Sequence, residues 1–376
     1  MQIEKILSDL IAVKTDCKYD ENKVCVDYIC SILQDNEVLF KRIKNSDDNK
    51  ESIIAGINVQ SFKNIDSGLI LSGHMDTVGA NHKDWDTNPF QATDINGAIY
   101  GRGTVDMKYF IATVLSLIPE FKKLKFPIFL LFSCDEESSV KGICNLIQFL
   151  DMENIHPKFA LVGEPTHFNV GVVSKGYAGY STSIKGISAH SSCPDLGVNA
   201  SYIAAKFVSK IEELSNIYKS QGTSLNVGSI SGGICRNMIP EETTIDWEIR
   251  YNQELIKTEI LQKVNDFCNK LVQEYKNSNI VTETKESLMS FEQDETSSIV
   301  GIAQNILKTS VLKLPHSTEA GFIKNIGVDT IICGAGNENL AHTSSEHILR
   351  SDLIKYRDFL LSFATSIQKK LISDFR

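Results

Sequence analysis

The sequence predicts an α/β protein with helices on both faces of its sheet, into which a smaller α+β unit is inserted. Two observations carry this. From residue 1 to about 173, and again from about 286 to 376, helix-like and strand-like segments alternate, the pattern of a sheet covered on both sides. Between residues 174 and 285 the texture changes to the order β-α-β-β-α-β, that of a ferredoxin-like unit.

The first part reads as helices over 3–13 and 22–33, a strand over 68–72, a helix over 107–118 and a strand over 127–133, the strands being short, nearly continuous apolar runs. The inserted part reads as a strand over 177–184, a helix over 200–214, strands over 224–229 and 243–250, a long helix over 256–275 and a final strand near 280–284. The closing part gives a helix over 297–307, a strand over 330–333 and an amphipathic helix over 353–371. The expected domains are therefore 1–173 and 286–376 for the larger and 174–285 for the smaller. No internal repeat or low-complexity segment interrupts them.

With 376 residues, 42% of them hydrophobic, the chain can bury a substantial core. Its formal net charge of -9 argues against nonspecific nucleic-acid binding, which needs cations to neutralise phosphates. The nine cysteines are odd in number, scattered and without a Cys-x-x-Cys pair, which suggests neither a disulfide framework nor a zinc knuckle. The first fourteen residues carry acids on an amphipathic pattern unlike a signal peptide, and no apolar run is long enough to span a membrane. A cytoplasmic protein is expected.

The chemistry lies in four phrases: Gly73-His74-Met75-Asp76-Thr77-Val78, Gly101-Arg102-Gly103-Thr104-Val105-Asp106-Met107-Lys108, Asp135-Glu136-Glu137 and Gly163-Glu164-Pro165-Thr166. The first, third and fourth follow strand-like runs, so their side chains converge in the crevice outside the strand C-termini, where open α/β sheets bind ligands. His342 follows the last strand and a Gly-Ala-Gly turn. Two metal ions about 3.5–4 Å apart can activate water and polarise a carbonyl. Such a pair needs one bridging carboxylate and two further ligands per ion, and His74, Asp106, Glu137, Glu164 and His342 supply that set. Three carboxylates and a hydroxide would balance two divalent cations. Asp76, two residues after His74, can orient the imidazole. Of the adjacent acids Glu136 and Glu137, one can bind metal while the other stays free as a general base. His347 competes with His342, whereas His82, His156, His167 and His316 read as structural or surface residues. Gly101-Arg102-Gly103 lacks the spacing of a dinucleotide fingerprint and runs into an acid, so it is not read as a phosphate loop.

Together these phrases resemble the zinc-dependent aminoacylase and carboxypeptidase-like metallohydrolases, in the same order over nearly the whole chain. The resemblance implies a dizinc aminopeptidase-like catalytic domain, with cobalt or manganese as alternative metals, and an inserted lid or dimerisation domain. It implies that His74, Glu164 and a bridging Asp106 hold one ion, and Asp106, Glu137 and His342 the other. Glu136 would be the base, with Asp76 behind His74. In Ser188-Ala189-His190-Ser191-Ser192, His190 matches the lid histidine that reaches the partner subunit's active site and stabilises an oxyanion, so a homodimer is implied.

Within that family, Gly232-Gly233-Ile234-Cys235-Arg236-Asn237, Trp247 to Arg250, and Ser317-Thr318-Glu319-Ala320 look most like the members that deacetylate N2-acetyl-L-ornithine in arginine synthesis. Succinyl-diaminopimelate desuccinylases usually have Thr-Ser-Asp-Gly at the last position. Asn237 and Arg250 fall where lid residues touch substrate, and Arg250 can hold a carboxylate as a forked donor. Glu319 is expected to meet a side-chain ammonium. The alternatives are the desuccinylase or another acyl-amino-acid or dipeptide hydrolase of the family, and a noncatalytic binding protein; retention of Glu136 beside the ligands speaks against the last.

Overall fold

The computed structural model describes residues 2–16, 22–46 and 49–374. Cys17 lies outside them, and the other eight cysteines are free. The chain forms two compact units, one of Met1–Val173, Glu292–Leu314 and Thr318–Arg376, the other of Ser174–Phe291 with Pro315–Ser317. Among the described residues no helix is long and apolar enough to cross a membrane.

The larger unit is an α/β fold on a mixed sheet. Its strands run in the order Leu39–Lys44, Glu51–Ile57, Ile128–Ser133, Leu69–His74, Phe159–Val162, Asp329–Ile332, Val170–Ser174, Phe291–Glu292, and Val311–Leu314 also pairs with Val170–Ser174. Ile128–Ser133, Leu69–His74, Phe159–Val162 and Asp329–Ile332 are mutually parallel. Their register is nearly flush, with His74 opposite Ser133, Ser72 opposite Val162 and Val162 opposite Ile332. The loops that follow therefore leave the sheet side by side.

Both faces of this sheet are apolar, which explains why its strands read as continuous runs. On one face Leu69, Leu71, Ile128, Leu130 and Phe132 join a single core with helices Gln2–Ala12, Lys23–Asp35, Lys108–Ser116 and Arg350–Asp374. The alternate residues Ile70, Phe129 and Leu131 are equally buried. Helix Lys141–Met152, which packs against the strands Glu51–Ile57 and Ile128–Ser133, buries Ile143, Leu146 and Leu150. The helix expected over 107–118 is two helices, Lys108–Ser116 and Ile118–Phe121, because Pro119 near the start of the second has no N–H to continue the first.

The smaller unit is a four-stranded antiparallel sheet in the order Ser224–Gly232, Glu242–Tyr251, Gly176–Lys185, Asn279–Leu288. Helices Ala200–Tyr218 and Glu254–Glu274 pack on it. Its core centres on Trp247, stacked on Tyr180 at 4.6 Å and donating from Nε1 to Thr182 at 2.9 Å. The chain leaves this unit after Phe291, not at 285, since the closing strand extends to Leu288.

Two glycines fix how closely the buried helix approaches the strand ends. A Cβ on Gly163 would lie 2.0 Å from the Phe110 ring, and one on Gly334 would lie 2.0 Å from the Tyr109 hydroxyl and 2.3 Å from the Glu164 carbonyl oxygen. Backbone cannot yield as a side-chain tip can. Gly334→Ala is therefore expected to destabilise the fold by about 1–3 kcal/mol, as overpacking does, read as a fall in the urea midpoint. An unchanged midpoint would show that the approach is not tight.

Candidate metal centre

The flush strand ends place the candidate residues within reach of one another. His74 is the last residue of its strand and 1% exposed. Its Nε2 lies 2.9 Å from Asp106 Oδ1 and 3.6 Å from Glu164 Oε1. The second oxygen of Asp106, Oδ2, lies 3.2 Å from Nε2 of His342, which is 2.9 Å from Glu137 Oε1. Asp106 thus faces one imidazole with each oxygen. His74, Asp106 and Glu164 form one group able to hold a metal ion, and Asp106, Glu137 and His342 form a second, with Asp106 common to both. His74, Glu136 and Glu137 form a third. His347, the competitor of His342, instead stacks on Tyr100 at 4.5 Å.

The turn carrying Glu136 and Glu137 is held from two sides. Asp135 adopts a left-handed conformation, φ 63°, and is 1% exposed. Its carboxylate accepts from Lys50 Nζ at 2.5 Å and from Asn45 Nδ2 at 3.1 Å. From the other side, Asp76 accepts the backbone N–H groups of Glu136 at 3.2 Å and Glu137 at 3.0 Å. The nearer partner of His74 Nδ1 is the Asp76 carbonyl at 3.0 Å, while its carboxylate Oδ1 stands 3.6 Å away and is engaged with the turn. Lys50 and Asn45 were not legible as site residues, because nothing local marks the hairpin that carries them.

Glu319 lies against the strand Leu69–His74. It is 1% exposed, accepts a bond from Ser72 Oγ at 3.4 Å, and burial pushes its carboxyl up to about 7. Its Oε1 is buried without a hydrogen-bond partner among the described residues. His190, Asn237 and Arg250 belong to the smaller unit. There the first two are brought together: His190 bridges to Met238, and Ser191 N donates to the Asn237 carbonyl at 3.0 Å. Both are exposed, and His190 Nδ1 is 2.7 Å from Ser192 Oγ. The Arg250 guanidinium lies over Tyr177 at 4.2 Å with Nε 3.3 Å from Glu248, so part of its donor capacity is used within the unit.

The electrostatics of the cluster fit metal cations. Burial, with Asp106 next in effect, drives Glu164 and Glu137 above the usual carboxylate range, and burial does the same to Glu136. Asp106 goes the other way: burial opposes its charge, but the bonds to His342 and His74 outweigh it. Those to Asp106 and Glu137 push His342 up to about 10. Among the described residues the two histidines are the only ion-pair partners of Asp106, Glu137 and Glu164.

The family is shown by comparison. The model of "Peptidase family M20/M25/M40" matches residues 70–366. The chain belongs to that family. It is 27% identical over 361 residues to an acetylornithine deacetylase of Buchnera aphidicola, covering 93% of this chain and 92% of the relative. It is 30% identical over 292 residues to that of Shigella sonnei, covering 75% of each. In fold it is similar to a tripeptidase of Staphylococcus aureus, with TM-score 0.78 at 19% identity and 98% of each chain covered. It is also similar to an M20 family metallo-carboxypeptidase of Sulfolobus solfataricus, with TM-score 0.75 at 18% identity, covering 98% of this chain and 99% of that one. The protein is a metal-dependent amide hydrolase with a candidate metal-binding site.

The sign of the His342 shift gives a prediction. With a pKa near 10 it is protonated at pH 7 in the metal-free chain, so coordination must expel that proton. Calorimetric titration of the metal-free protein with Zn²⁺, in buffers of different ionisation enthalpy, should show net proton release at pH 7 and tighter binding as pH rises. Binding with no proton release would contradict these electrostatics.

Proposed function

We propose that the protein is a dizinc hydrolase that removes the acetyl group of N2-acetyl-L-ornithine, giving ornithine and acetate in arginine synthesis. The observation that carries the dinuclear reading is the single Asp106 carboxylate shared by two candidate metal groups. The substrate rests on the acetylornithine deacetylases that match over 92–93% of the chain. Bound there, two divalent ions would polarise the amide carbonyl and lower the pKa of the attacking water.

His74, Asp106 and Glu164 would hold one ion, and Asp106, Glu137 and His342 the other. Among the described residues Glu136 forms no ion pair with a histidine, and burial raises its proton affinity; it takes the proton from the attacking water and passes it to the leaving amine. The smaller unit acts as lid and dimerisation domain of a cytoplasmic homodimer. Two features support the dimer: the edge strand Ser224–Gly232 leaves Ile230 56% exposed, and the following loop leaves Ile234 88% exposed, as expected where an apolar patch awaits a partner. His190, beside Asn237, would stabilise the oxyanion from the partner subunit, with Asn237 and Arg250 meeting the substrate. Glu319 would meet the side-chain ammonium of the substrate.

The test is hydrolysis by the Zn²⁺-loaded protein of N2-acetylornithine, acetylmethionine, succinyl-diaminopimelate and a tripeptide, together with Glu136→Gln. Acetylornithine should give the highest kcat/KM, and Glu136→Gln should keep both ions while losing about 10²–10⁴-fold in rate. Faster cleavage of succinyl-diaminopimelate or of the tripeptide would overturn the substrate. Loss of an ion from Glu136→Gln would mean that Glu136 and Glu137 exchange roles.

A further inference from the structure

We infer that Glu346 is a positioning residue that clasps the Asp106 loop to the His342 loop and thereby sets the geometry of the metal centre. The inference rests on the reading of Asp106 and His342 as ligands. Glu346 stands four residues after His342 and is completely buried. Its Oε1 accepts the backbone N–H groups of Val105 at 2.8 Å and Asp106 at 3.1 Å. Its Oε2 accepts Gly103 N at 3.1 Å and Arg102 Nη1 at 2.5 Å. Its carbonyl accepts Gly101 N at 3.2 Å. One residue thus gathers five donors from the six-residue stretch that ends in Asp106.

A buried carboxylate needs donors and a countercharge, and Arg102 supplies both. Arg102 is itself 4% exposed, with its guanidinium over the Trp85 ring at 5.2 Å, so the countercharge cannot swing away. An ordinary loop staple would tie down any part of the loop equally well. Here the acceptor grips the amide of Asp106 itself while sharing a short segment with His342. The two ends of the clasp are the two residues whose side chains meet at 3.2 Å in the cluster. A shift at either end changes the spacing of atoms that would share one ion, and outer contacts of this kind tune metal affinity.

The carboxylate is required because all four side-chain bonds need acceptors. Gln keeps the shape but turns one oxygen into an NH₂ that faces two donors. Glu346→Gln should therefore weaken Zn²⁺ affinity by about ten- to a hundredfold, measured by competition with a chelator. It should also alter the visible absorption of the Co²⁺-loaded protein, which reports ligand geometry and not fold stability. Glu346→Asp keeps the charge but is one methylene too short to reach every donor, and the same readouts should change in it. A folded Glu346→Gln with affinity within twofold and an unaltered Co²⁺ spectrum would overturn the inference. So would failure of both variants to fold, since the carboxylate would then serve the fold as a whole. Asp106→Asn separates this from the underlying reading: if it binds Zn²⁺ as tightly as the unaltered chain, the ligand assignment fails whatever Glu346 does.

Discussion

Four acids and two imidazoles crowd together at the ends of parallel strands, with Asp106 facing His74 through one oxygen and His342 through the other. Like charges at such spacing repel strongly once water is excluded. Burial above all, with the neighbouring acids adding to it, raises the proton affinity of Glu136, Glu137 and Glu164. The fold holds these groups at fixed spacing by rigid means, and much of the larger unit can be understood as serving that end.

The flush register of the parallel strands sets the positions of His74, the Glu136-Glu137 turn and Glu164. The buried helix Lys108–Ser116 comes close enough beneath them that Gly163 and Gly334 have no room for a side chain. Asp76 and the Lys50–Asp135 pair then grip the turn between them. None of these contacts involves an exposed flexible tip. Preorganisation of this kind lets a site keep ligand geometry without reorganising when its metal or substrate arrives.

The four parallel strands of the larger sheet and the cluster at their ends were legible because they depend on local signals. Apolar runs ending in His74, Glu164 or the acidic pair announce both a buried strand and a polar group at its end. The buried strand Glu51–Ile57, the strand Val170–Ser174 and helix Lys141–Met152 were not read, nor was Leu39–Lys44, a largely exposed edge with little apolar pattern. Glu346, Lys50 and Asn45 were missed for a different reason: their partners lie 85 to 244 positions away in sequence, and no local phrase marks them. The phrase around Glu319 indicated nearness to the site but not depth, and only three-dimensional packing shows it to be buried. Asp76 was found by its spacing from His74, yet that spacing could not reveal that its carboxylate holds the neighbouring turn while its carbonyl meets the imidazole.

The shared Asp106 carboxylate is the central claim. X-ray absorption fine structure of the Zn²⁺-loaded protein, with metal content measured on the same sample, addresses it most directly. The account predicts two ions per chain and a metal–metal scattering distance of about 3.5–4 Å, lost together with one ion in Asp106→Asn. A single ion per chain, or two ions with no metal–metal scattering in that range, would contradict it.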